Sequence, residues 1–554
     1  MTVSDSRHHQ MFPVLNVKQI ESAIRFASAE SQRFAPGEVM YQVGTRGIAI
    51  WLVIQGSINV VRRDGLGREA AIGTAGPGEF TGEVGLMGNR ASLAEGRAGA
   101  EGCLAVPFDV PHIRALVIGS AELGEIVMRA FILRRVRMIE SDRVGSVLVG
   151  RLGELNMVRL QGFLTRNGYP HSVLDVGAGD AEACSLIEQL GIQNDELPLM
   201  VCPSGTVLKR PSNAEAGICL GITPDLDPSE VFDIAVVGAG PAGLATAVYA
   251  ASEGLSVLVL DQRSFGGQAG ASARIENYLG FPTGISGQAL TARAFVQAQK
   301  FGARMAIPLE VARLDCHEPG ILTLELTTGQ MIRAKSVVIA SGVRYRQLPV
   351  ANIERFEGAG VSYWASTIEA KICKDEEVAL VGAGNSAGQA TVFLAPQVKR
   401  LHLIVRGPGL EASMSSYLIE RIAALPNVVI HTLTEISELL GDSATGLQGA
   451  VFHNRASGET QRLDLHHVFL FIGADPNTHW LGDCVETDAK GFVLTGAGLA
   501  AETLENWAPL PLETNRKGVF AIGDVRAHST KRVAAAVGEG AAVVAQIFES
   551  MKRG

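Results

Sequence analysis

The stretch Asp233-Ile-Ala-Val-Val-Gly238-Ala-Gly240-Pro-Ala-Gly243 decides the fold of the larger part of this chain. Its apolar start predicts a buried β-strand, and its glycines have the G-x-G-x-x-G spacing just before a helical run, Leu244–Glu253. Such glycines allow a tight turn, admit a pyrophosphate to the helix N-terminus and let helix and strand pack closely. The stretch therefore predicts a Rossmann-type module that binds a dinucleotide.

An acidic residue follows this motif where a ribose diol requires one. The next apolar strand, Ser256–Leu260, ends in Asp261, about 20 residues after the glycines, where a carboxylate accepts hydrogen bonds from the ribose. A glycine motif alone would be weak evidence, but strand, helix and acid are all present here. The expected cofactor-binding residues are Gly238, Gly240, Pro241, Ala242, Gly243, Asp261 and Gln262.

A second strand-glycine-helix arrangement occurs at Val381-Gly382-Ala-Gly384-Asn-Ser-Ala387, where alanine replaces the third glycine. After the next strand, Leu401–Val405, stands Arg406 rather than an acid. An arginine there pairs with a 2′-phosphate, which favours NADP(H) over NAD(H); a solvated surface arginine is the alternative. Two modules, one inserted in the other, are the simplest organisation. The expected contacts are Gly382, Gly384, Asn385, Ser386, Ala387 and Arg406.

The composition describes a globular chain of several domains. The chain has 554 residues, which is more than a single hydrophobic core accommodates. With 47% hydrophobic and 19% charged residues, it can form large cores. A net charge of −9 without a Lys/Arg run makes nucleic acid an unexpected partner.

A polar N-terminus and no apolar stretch of about 18 residues predict no signal peptide and no membrane span, so the default location is the cytoplasm. The spacing of the seven cysteines excludes a Cys-x-x-Cys redox pair and a compact zinc site.

Residues 1–143 predict a β-roll capped by helices, because short β segments broken by glycines precede two helical stretches, Val110–Ile118 and Glu122 to about Arg143. The predicted strands are Glu38–Val43, Ile48–Ile54, Ser57–Arg62, Glu69–Gly73 and Gly102–Val106.

Residues 144–226 predict a small α/β unit, because strands and helices alternate. The run Pro224–Pro228 then predicts a linker, since two prolines in so short a run resist regular structure. The predicted elements are Ser146–Val149, Leu152–Arg166, Ser172–Val176, Ala181–Leu190, Leu197–Cys202 and Gly205–Lys209.

A series of further motifs follows the linker in a fixed order. They are Gly266-Gly267-Gln268, Ile275-Glu276-Asn277-Tyr278, Ala340-Ser341-Gly342, Gly360-Val361-Ser362-Tyr363, Ile472-Gly473-Ala474-Asp475-Pro476-Asn477-Thr478 and Gly518-Val519-Phe520-Ala521-Ile522-Gly523-Asp524. In this order they resemble the thioredoxin reductase family, from about Val231 to Ala545. The resemblance implies a homodimer with FAD and NADPH as cofactors, an FAD-binding domain over 229–343 and 470–554, and an inserted NADPH-binding domain over 344–469.

The resemblance also assigns cofactor contacts. It places Gly267, Gln268 and Asn277 near the FAD, Gly523 and Asp524 near its ribityl-phosphate region, and Lys531, Arg532 and Val533 beside the isoalloxazine edge. Asp524 follows a buried strand, where a carboxylate accepts hydrogen bonds from a diol; a helix N-cap is the alternative role.

The chain departs from that family where its redox cysteines would stand. Thioredoxin reductases carry Cys-Ala-Thr-Cys-Asp after Ser-Tyr, whereas this chain has Trp364-Ala365-Ser366-Thr367-Ile368. Because Trp364 and Thr367 replace both thiols, disulfide reductase activity by the ordinary route is doubtful. Glu369 either replaces the missing acid or is a surface glutamate, and the indole either stacks on the flavin or packs.

Residues 144–226 resemble a thioredoxin or glutaredoxin fold without its chemistry. The supporting segments are Leu174-Asp175-Val176 and Leu197-Pro198-Leu199-Met200-Val201, with Pro198 where that fold has a cis-proline. The segment Gly150–Leu155 holds no cysteine. The unit is therefore expected to dock or to act as a spacer.

Residues 1–143 resemble the cyclic-nucleotide-binding fold. The resemblance rests on Phe34-Ala-Pro-Gly37-Glu38, Gly44, a strand pair around Gln55-Gly56-Ser57, and Phe80-Thr81-Gly82-Glu83 followed by Arg90-Ala91-Ser92. It implies that Glu83 accepts a ribose hydroxyl and that Arg90 neutralises a cyclic phosphate. The connecting loop is short and has Asn89 for the usual proline, so a nucleotide site and a vestigial barrel are both open. The candidate contacts are Gly82, Glu83, Arg90 and Ala91.

The predicted fold class is α/β multidomain, with two Rossmann-type FAD/NAD(P)-binding modules preceded by the β-roll and the thioredoxin-like unit. The expected function is hydride transfer from NADPH to FAD and on to an unidentified acceptor, which is a protein, a quinone or dioxygen, with a cyclic nucleotide as candidate effector. Two alternatives stay open: a disulfide reductase that uses a non-standard cysteine such as Cys373, and a non-catalytic nucleotide or redox sensor.

Overall fold

The computed structural model contains a β-roll, a small α/β unit and two Rossmann-type modules, which confirms the predicted fold class. The described residues are 8–88, 90–140, 145–224, 226–272, 275, 278–316, 320–357, 360–365, 367–442, 446–500 and 507–553.

The β-roll is built on two long antiparallel strands that bend at facing glycines. Its elements are α1 (His8–Met11), α2 (Val17–Ile24), β1 (Gln32–Phe34), β2 (Val39–Tyr41), β3 (Ile50–Arg63), β4 (Glu69–Ala75), α3 (Val84–Met87), β5 (Ala94–Phe108), α4 (Val110–Gly119) and α5 (Ala121–Glu140). Gly56 on β3 has φ +78° and Gly102 on β5 has φ +75°. A side chain on Gly56 would lie 2.1 Å from the Gly102 carbonyl oxygen, so glycine lets both strands continue through the bend. The predicted break between Ile48–Ile54 and Ser57–Arg62 is therefore wrong, since β3 spans both.

Arg134 on α5 closes one end of the roll. Its Nε donates to the carbonyl of Met11 at 2.9 Å, and its Nη1 donates to the carbonyls of Phe80 at 2.9 Å and Gly82 at 3.0 Å. These contacts hold α5 against the segment that carries Gly82 and Glu83.

The second unit has a four-stranded mixed sheet in the order β7-β6-β8-β9. Its elements are β6 (Ser146–Gly150), α6 (Leu155–Arg166), β7 (His171–Asp175), α7 (Ala181–Leu190), β8 (Leu199–Val201), β9 (Val207–Lys209) and α8 (Asn213–Cys219). Strands β6 and β7 are parallel, and β8 runs antiparallel to β6 and β9. The Leu197–Pro198 peptide is cis, as predicted for Pro198.

The first Rossmann module has a seven-stranded sheet in the order β12-β11-β10-β15-β14-β13, with β26 (Val519–Ala521) beside β15. Its elements before the insertion are β10 (Val231–Val237), α9 (Pro241–Ser252), β11 (Val257–Leu260), α10 (Gly267–Gly270), α11 (Gly287–Lys300), β12 (Arg304–Ala306), β13 (Val311–Asp315), β14 (Leu322–Leu326), β15 (Met331–Ile339) and β16 (Val343–Tyr345). Strands β10, β11, β12, β15 and β26 are parallel, so their carboxyl ends meet at one edge.

The inserted module has a parallel sheet in the order β17-β24-β18-β19-β20 and an antiparallel sheet β21-β22-β23. Its elements are β17 (Val361–Ser362), α12 (Thr367–Ile372), β18 (Glu377–Val381), α13 (Asn385–Leu394), β19 (Arg400–Val405), α14 (Ser416–Ala423), β20 (Val428–Thr432), β21 (Thr434–Asp442), β22 (Gly446–Asn454), β23 (Thr460–Leu463) and β24 (His467–Leu470). The chain then returns through β25 (Ala474–Pro476), which pairs with β16, to β26 (Val519–Ala521) and α15 (Val533–Arg553).

Among the described residues, one helix, α15, is long and apolar enough to cross a membrane, judged by its length and composition alone. It packs on α9 instead. An added side chain on Gly540 would lie 2.5 Å from the Ala242 carbonyl oxygen, and the Thr246 hydroxyl donates to the Gly540 carbonyl at 3.3 Å. These contacts make α15 a core helix of the first Rossmann module.

Two disulfide bonds, which were not predicted from the sequence, join distant segments. Cys202 after β8 pairs with Cys219 on α8, and Cys316 after β13 pairs with Cys484. The sequence separations of 17 and 168 residues match no redox or zinc motif. Such bonds are unusual in a reducing cytoplasm, the default location predicted above.

We expect three alkylated cysteines per chain when the unreduced protein is denatured and treated with iodoacetamide, because Cys103, Cys184 and Cys373 are free. Intact-mass spectrometry reads the number directly. Reduction before alkylation is the control and should give seven. Seven labelled cysteines without reduction would show that neither bond forms in the purified protein.

Candidate functional site

A cleft of about 660 Å³ lies between the first Rossmann module and the inserted module. It brings together residues that belong to separate motifs in the sequence. The predicted residues that line it are Gly238, Gly240, Pro241, Ala242, Asp261, Gly267, Gln268, Trp364, Ser386, Gly523, Asp524, Lys531, Arg532 and Val533.

The first glycine loop leaves bare backbone at the N-terminus of α9. Gly238 has φ +113°, and a side chain there would lie 2.2 Å from the Ala340 carbonyl oxygen on the neighbouring strand end. A side chain on Gly243 would lie 1.9 Å from the Gly238 carbonyl oxygen, so this glycine permits helix and strand to pack, as expected. A side chain on Gly240 would meet nothing within 4 Å, because this residue faces the cleft. The space suits a pyrophosphate at the helix N-terminus.

Asp261 holds the turn beside this loop. Its Oδ2 accepts a hydrogen bond from the Ala239 N–H at 2.9 Å, and its Oδ1 accepts from the N–H groups of Arg263 at 2.9 Å and Ser264 at 3.1 Å. Burial raises the pKa of Asp261, and these backbone donors oppose the rise. A carboxylate has about four acceptor positions, so capacity for a ribose hydroxyl remains.

Asp524 and Lys531 both line the cleft. Burial raises the pKa of Asp524, whereas the nearby Lys531 ammonium lowers it. Lys531 Nζ donates to the Ser529 hydroxyl at 2.8 Å and to the Asp524 carbonyl, and it lies 4.5 Å from the centroid of the Phe492 ring. Asp524 is not the N-cap of its 3₁₀ turn, which is Ile522. The carboxylate therefore faces the cleft with a fixed cation beside it.

Aromatic side chains form one wall of the cleft. The rings of Tyr345 and Tyr363 stack with centroids 5.6 Å apart at 11°, and Trp364 continues the wall. The indole Nε1–H of Trp364 donates to Glu369 Oε1 at 2.8 Å. Glu369 thus holds the indole rather than lying on the surface unused. Ser366 and the side chains of Thr367 and Ile368 lie outside the described residues.

No cysteine is among the described residues that line this cleft. Cys373, the candidate for a non-standard redox thiol, follows α12 directly and is fully buried in the core of the inserted module. Burial raises the pKa of its thiol to about 11, so the group is protonated and a poor nucleophile near neutral pH.

The second glycine loop is partly covered by its own module. A side chain on Gly382 would lie 2.4 Å from the Phe471 carbonyl oxygen, which repeats the geometry of the first module. Asn385 Oδ1 accepts from the Ser415 N–H at 2.7 Å and from the Ser415 hydroxyl at 2.9 Å. Arg406 is exposed directly after β19.

Several predicted residues do not line the cleft, and others were missed. Gly243, Gln262, Gly382, Gly384, Asn385, Ala387 and Arg406 are not part of its lining. Asn277 lies outside the described residues. The lining residues that were not singled out from the sequence include Tyr345, Gln389, Tyr417 and Arg421. The spacing of Tyr417 and Arg421, one turn apart on amphipathic α14, was the available signal.

A smaller cavity of about 220 Å³ lies inside the β-roll and is lined by Gly82 and Glu83. Glu83 Oε2 accepts from the Gly85 N–H at 2.7 Å. Its buried Oε1 accepts no hydrogen bond from the described residues and lies 3.5 Å from Arg135 Nη1. Arg135 is therefore the charged partner of this carboxylate, and a ligand hydroxyl would have to take the oxygen from it.

Arg90 and Ala91 do not line this cavity. The Arg90 guanidinium lies 5.4 Å from the centroid of the Phe295 ring, on α11 of the first Rossmann module. Burial, together with the neighbouring Arg135, lowers the pKa of Arg90 to about 10. The role of Arg90 as the group that neutralises a phosphate stays a prediction, and in this structure its guanidinium lies against a ring of another unit.

The model of the pyridine nucleotide-disulphide oxidoreductase family matches residues 232–540, more than half of the chain. The chain belongs to this family. The cyclic nucleotide-binding domain model matches residues 31–117, the region of the β-roll.

Relatives and solved structures agree with this assignment. The chain is 32% identical over 323 residues to the thioredoxin reductase of Streptomyces coelicolor, across 58% of this chain and 94% of that protein. It is 30% identical over 331 residues to an alkyl hydroperoxide reductase component of Escherichia coli, across 59% of this chain and only 60% of that protein. The crystal structure of T. acidophilum thioredoxin reductase superposes with a TM-score of 0.51 at 28% identity, across 58% of this chain and 98% of that one.

FAD and NADPH are the cofactors of this thioredoxin-reductase-like family, and the cleft fits the first of them on its own geometry. Bare backbone around Gly240, the Asp261 carboxylate and the Asp524 carboxylate lie along one cavity. The sequence predicts that the first Rossmann module binds FAD and that the inserted module binds NADPH, and the two are named the FAD module and the NADPH module accordingly.

We expect Arg406→Ala to raise the KM for NADPH by about 10- to 100-fold and to leave the KM for NADH within about twofold. A charge-assisted hydrogen bond is worth about 1.5–3 kcal/mol, and each 1.4 kcal/mol is about tenfold. Steady-state kinetics with both nucleotides is the measurement. Arg400→Ala, at the other end of β19, is the matched control. Equal effects of the two variants would show that Arg406 does not read the 2′-phosphate.

Proposed function

We propose that this chain is an NADPH-dependent, FAD-containing oxidoreductase whose acceptor enters the cleft beside Trp364. The aromatic wall carries the proposal. Trp364 stands where thioredoxin reductases have their first redox cysteine, and no cysteine is among the described residues that line the cleft. Without a thiol to relay electrons, the acceptor itself has to reach the cleft.

The residues of the cleft supply position and electrostatics. The N-terminus of α9 with Gly240 suits the pyrophosphate, and Asp524 suits a diol of the same cofactor. When bound, FAD supplies the hydride chemistry between nicotinamide and acceptor. Lys531, held by Ser529 and the Asp524 carbonyl, places a fixed positive charge in the cleft, where it favours negative charge that develops nearby.

The NADPH-module side of the cleft favours a flat, apolar acceptor. Its lining there includes the apolar or aromatic side chains of Phe393, Tyr417, Leu418 and Phe471, next to the polar side chains of Gln389, Gln397 and Arg421. Surfaces of this kind bind planar aromatic molecules by stacking and by apolar burial. Of the three acceptor classes, a quinone suits this lining better than a one-electron carrier protein or dioxygen.

Disulfide reduction is the second candidate, because it is the function of the family and of the thioredoxin reductases among the relatives. It would need a thiol outside the cleft. Cys184 on α7 is free and exposed, whereas Cys373 is free and buried. The position of both outside the cleft makes this candidate the weaker one.

A ligand in the β-roll is the candidate regulator. The match to the cyclic nucleotide-binding domain and the Oε1 of Glu83, which accepts no hydrogen bond from the described residues, support a ligand with a hydroxyl group. The contact of Arg90 with Phe295 argues that a cyclic phosphate would lack its usual partner. A homodimer and a cytoplasmic location stay predictions.

We expect the purified protein to be yellow and its flavin absorbance near the oxidised band to bleach rapidly with NADPH under anaerobic conditions. Stopped-flow mixing with NADPH, and separately with NADH, is the measurement. Slow bleaching by NADH relative to NADPH is the expected control result. Flavin that neither nucleotide bleaches would contradict the proposal and favour a non-catalytic sensor.

We expect Cys373→Ser to change NADPH oxidation with 1,4-naphthoquinone as acceptor by less than about twofold, because the thiol is buried and protonated. Reduction of 5,5′-dithiobis(2-nitrobenzoate) by wild type, Cys373→Ser and Cys184→Ser tests the second candidate. Thiol-disulfide turnover that disappears in either variant would favour disulfide reduction.

A further inference from the structure

The thioredoxin-like unit contacts the cleft at Trp364. Its helix α6 ends at Arg166, and the Arg166 guanidinium lies 5.6 Å from the centroid of the Trp364 ring. Trp364 lines the cleft in which the cofactor and acceptor are proposed to meet. A cation over the face of an indole is attracted by the ring's negative π-face.

A glycine on α6 lies next to this guanidinium. A side chain on Gly162, one turn before Arg166, would lie 3.3 to 3.5 Å from its three nearest neighbours, all of them atoms of the Arg166 guanidinium. The guanidinium therefore lies over the helix backbone at Gly162, and a large side chain at this position would compete with it for space.

The residues after Arg166 fix the end of α6 to both neighbouring units. The Asn167 amide is buried, and its Nδ2 donates to the Arg263 carbonyl at 3.2 Å, two residues beyond Asp261 of the cleft. Arg135 of the roll helix α5 donates through Nη2 to the Gly168 carbonyl at 2.7 Å. The position of Arg166 is thus set by the FAD module on one side and by the β-roll on the other.

The indole is held in two directions. Glu369 accepts its N–H in the ring plane at 2.8 Å, and Arg166 lies over its face. The acid comes from the NADPH module and the cation from the thioredoxin-like unit. An acid alone would leave the ring free to rotate about the hydrogen bond.

We propose that Arg166 is a positioning residue for Trp364, and that holding this indole at the acceptor side of the cleft is the role of the thioredoxin-like unit. The kinetic part of the proposal rests on the proposed function, because it requires an acceptor that enters beside Trp364. The conformational part concerns the indole alone and does not.

Two variants remove the contact in different ways. Arg166→Gln removes the cation, and Gly162→Leu displaces it while the charge stays. Arg159→Gln is the matched control, because Arg159 is on the same helix and donates to Asn213 and Pro211 inside the unit. FAD content and thermal melting show which variants are folded.

The first readout is the Trp364 emission, taken as the difference between each protein and its Trp364→Phe counterpart, with acrylamide quenching. We expect Arg166→Gln and Gly162→Leu to make Trp364 at least about twofold more quenchable, and Arg159→Gln to match wild type. This readout needs no turnover, so it tests the positioning role even if NADPH does not bleach the flavin.

The second readout separates the two halves of the reaction. We expect both variants to change the KM for 1,4-naphthoquinone by about fivefold or more, while the rate of flavin bleaching by NADPH stays within about twofold of wild type. Unchanged quenching and an unchanged quinone KM in both variants would overturn the proposal, as would an equal change in Arg159→Gln.

Discussion

The approach of one strand end to the next at a glycine is the constraint on which both nucleotide modules depend. At Gly238 the backbone comes so close to the Ala340 carbonyl that a side chain would force β10 and β15 apart. Gly382 meets the Phe471 carbonyl in the same way, between β18 and β24. These contacts bring the strand ends together and leave the helix N-termini uncovered. The sheets, the crossover helices and the cleft between the modules depend on this arrangement.

One wall of the cleft differs from what the resemblance to thioredoxin reductases implies. The resemblance implies a redox thiol there, which would exchange with the disulfide of a partner. Here an indole occupies the wall, and it is held by a carboxylate in its plane and a guanidinium over its face. A group held in this way cannot carry electrons by thiol exchange, but it can define which molecules fit beside the cofactor.

Features that depend on a few neighbouring residues could be predicted from the sequence, whereas contacts between units could not. The glycine loops, the acid at 261, the cis bond at Pro198 and the replacement at Trp364 are properties of a few neighbouring residues, so the sequence contains them. Direction of a long side chain is not such a property, and Arg90 accordingly packs on Phe295 rather than lining the roll. The predicted break within strand β3 is wrong because a glycine is typical of a β-bulge as well as of a turn. The disulfides and the Arg166 contact join segments whose proximity only the assembled fold creates.

Arg135 connects the two cavities in a way that has a thermodynamic meaning. It lies 3.5 Å from Glu83 in the roll and donates to Gly168 at the end of α6. A roll ligand that takes Glu83 from Arg135 would alter the support of α6 and, through it, the indole. Linkage makes such coupling reciprocal, so the affinity of the roll for that ligand would change by the same factor as the cleft's affinity for its own. Binding of a ligand in the roll would then depend on what occupies the cleft, as much as binding in the cleft depends on the roll ligand.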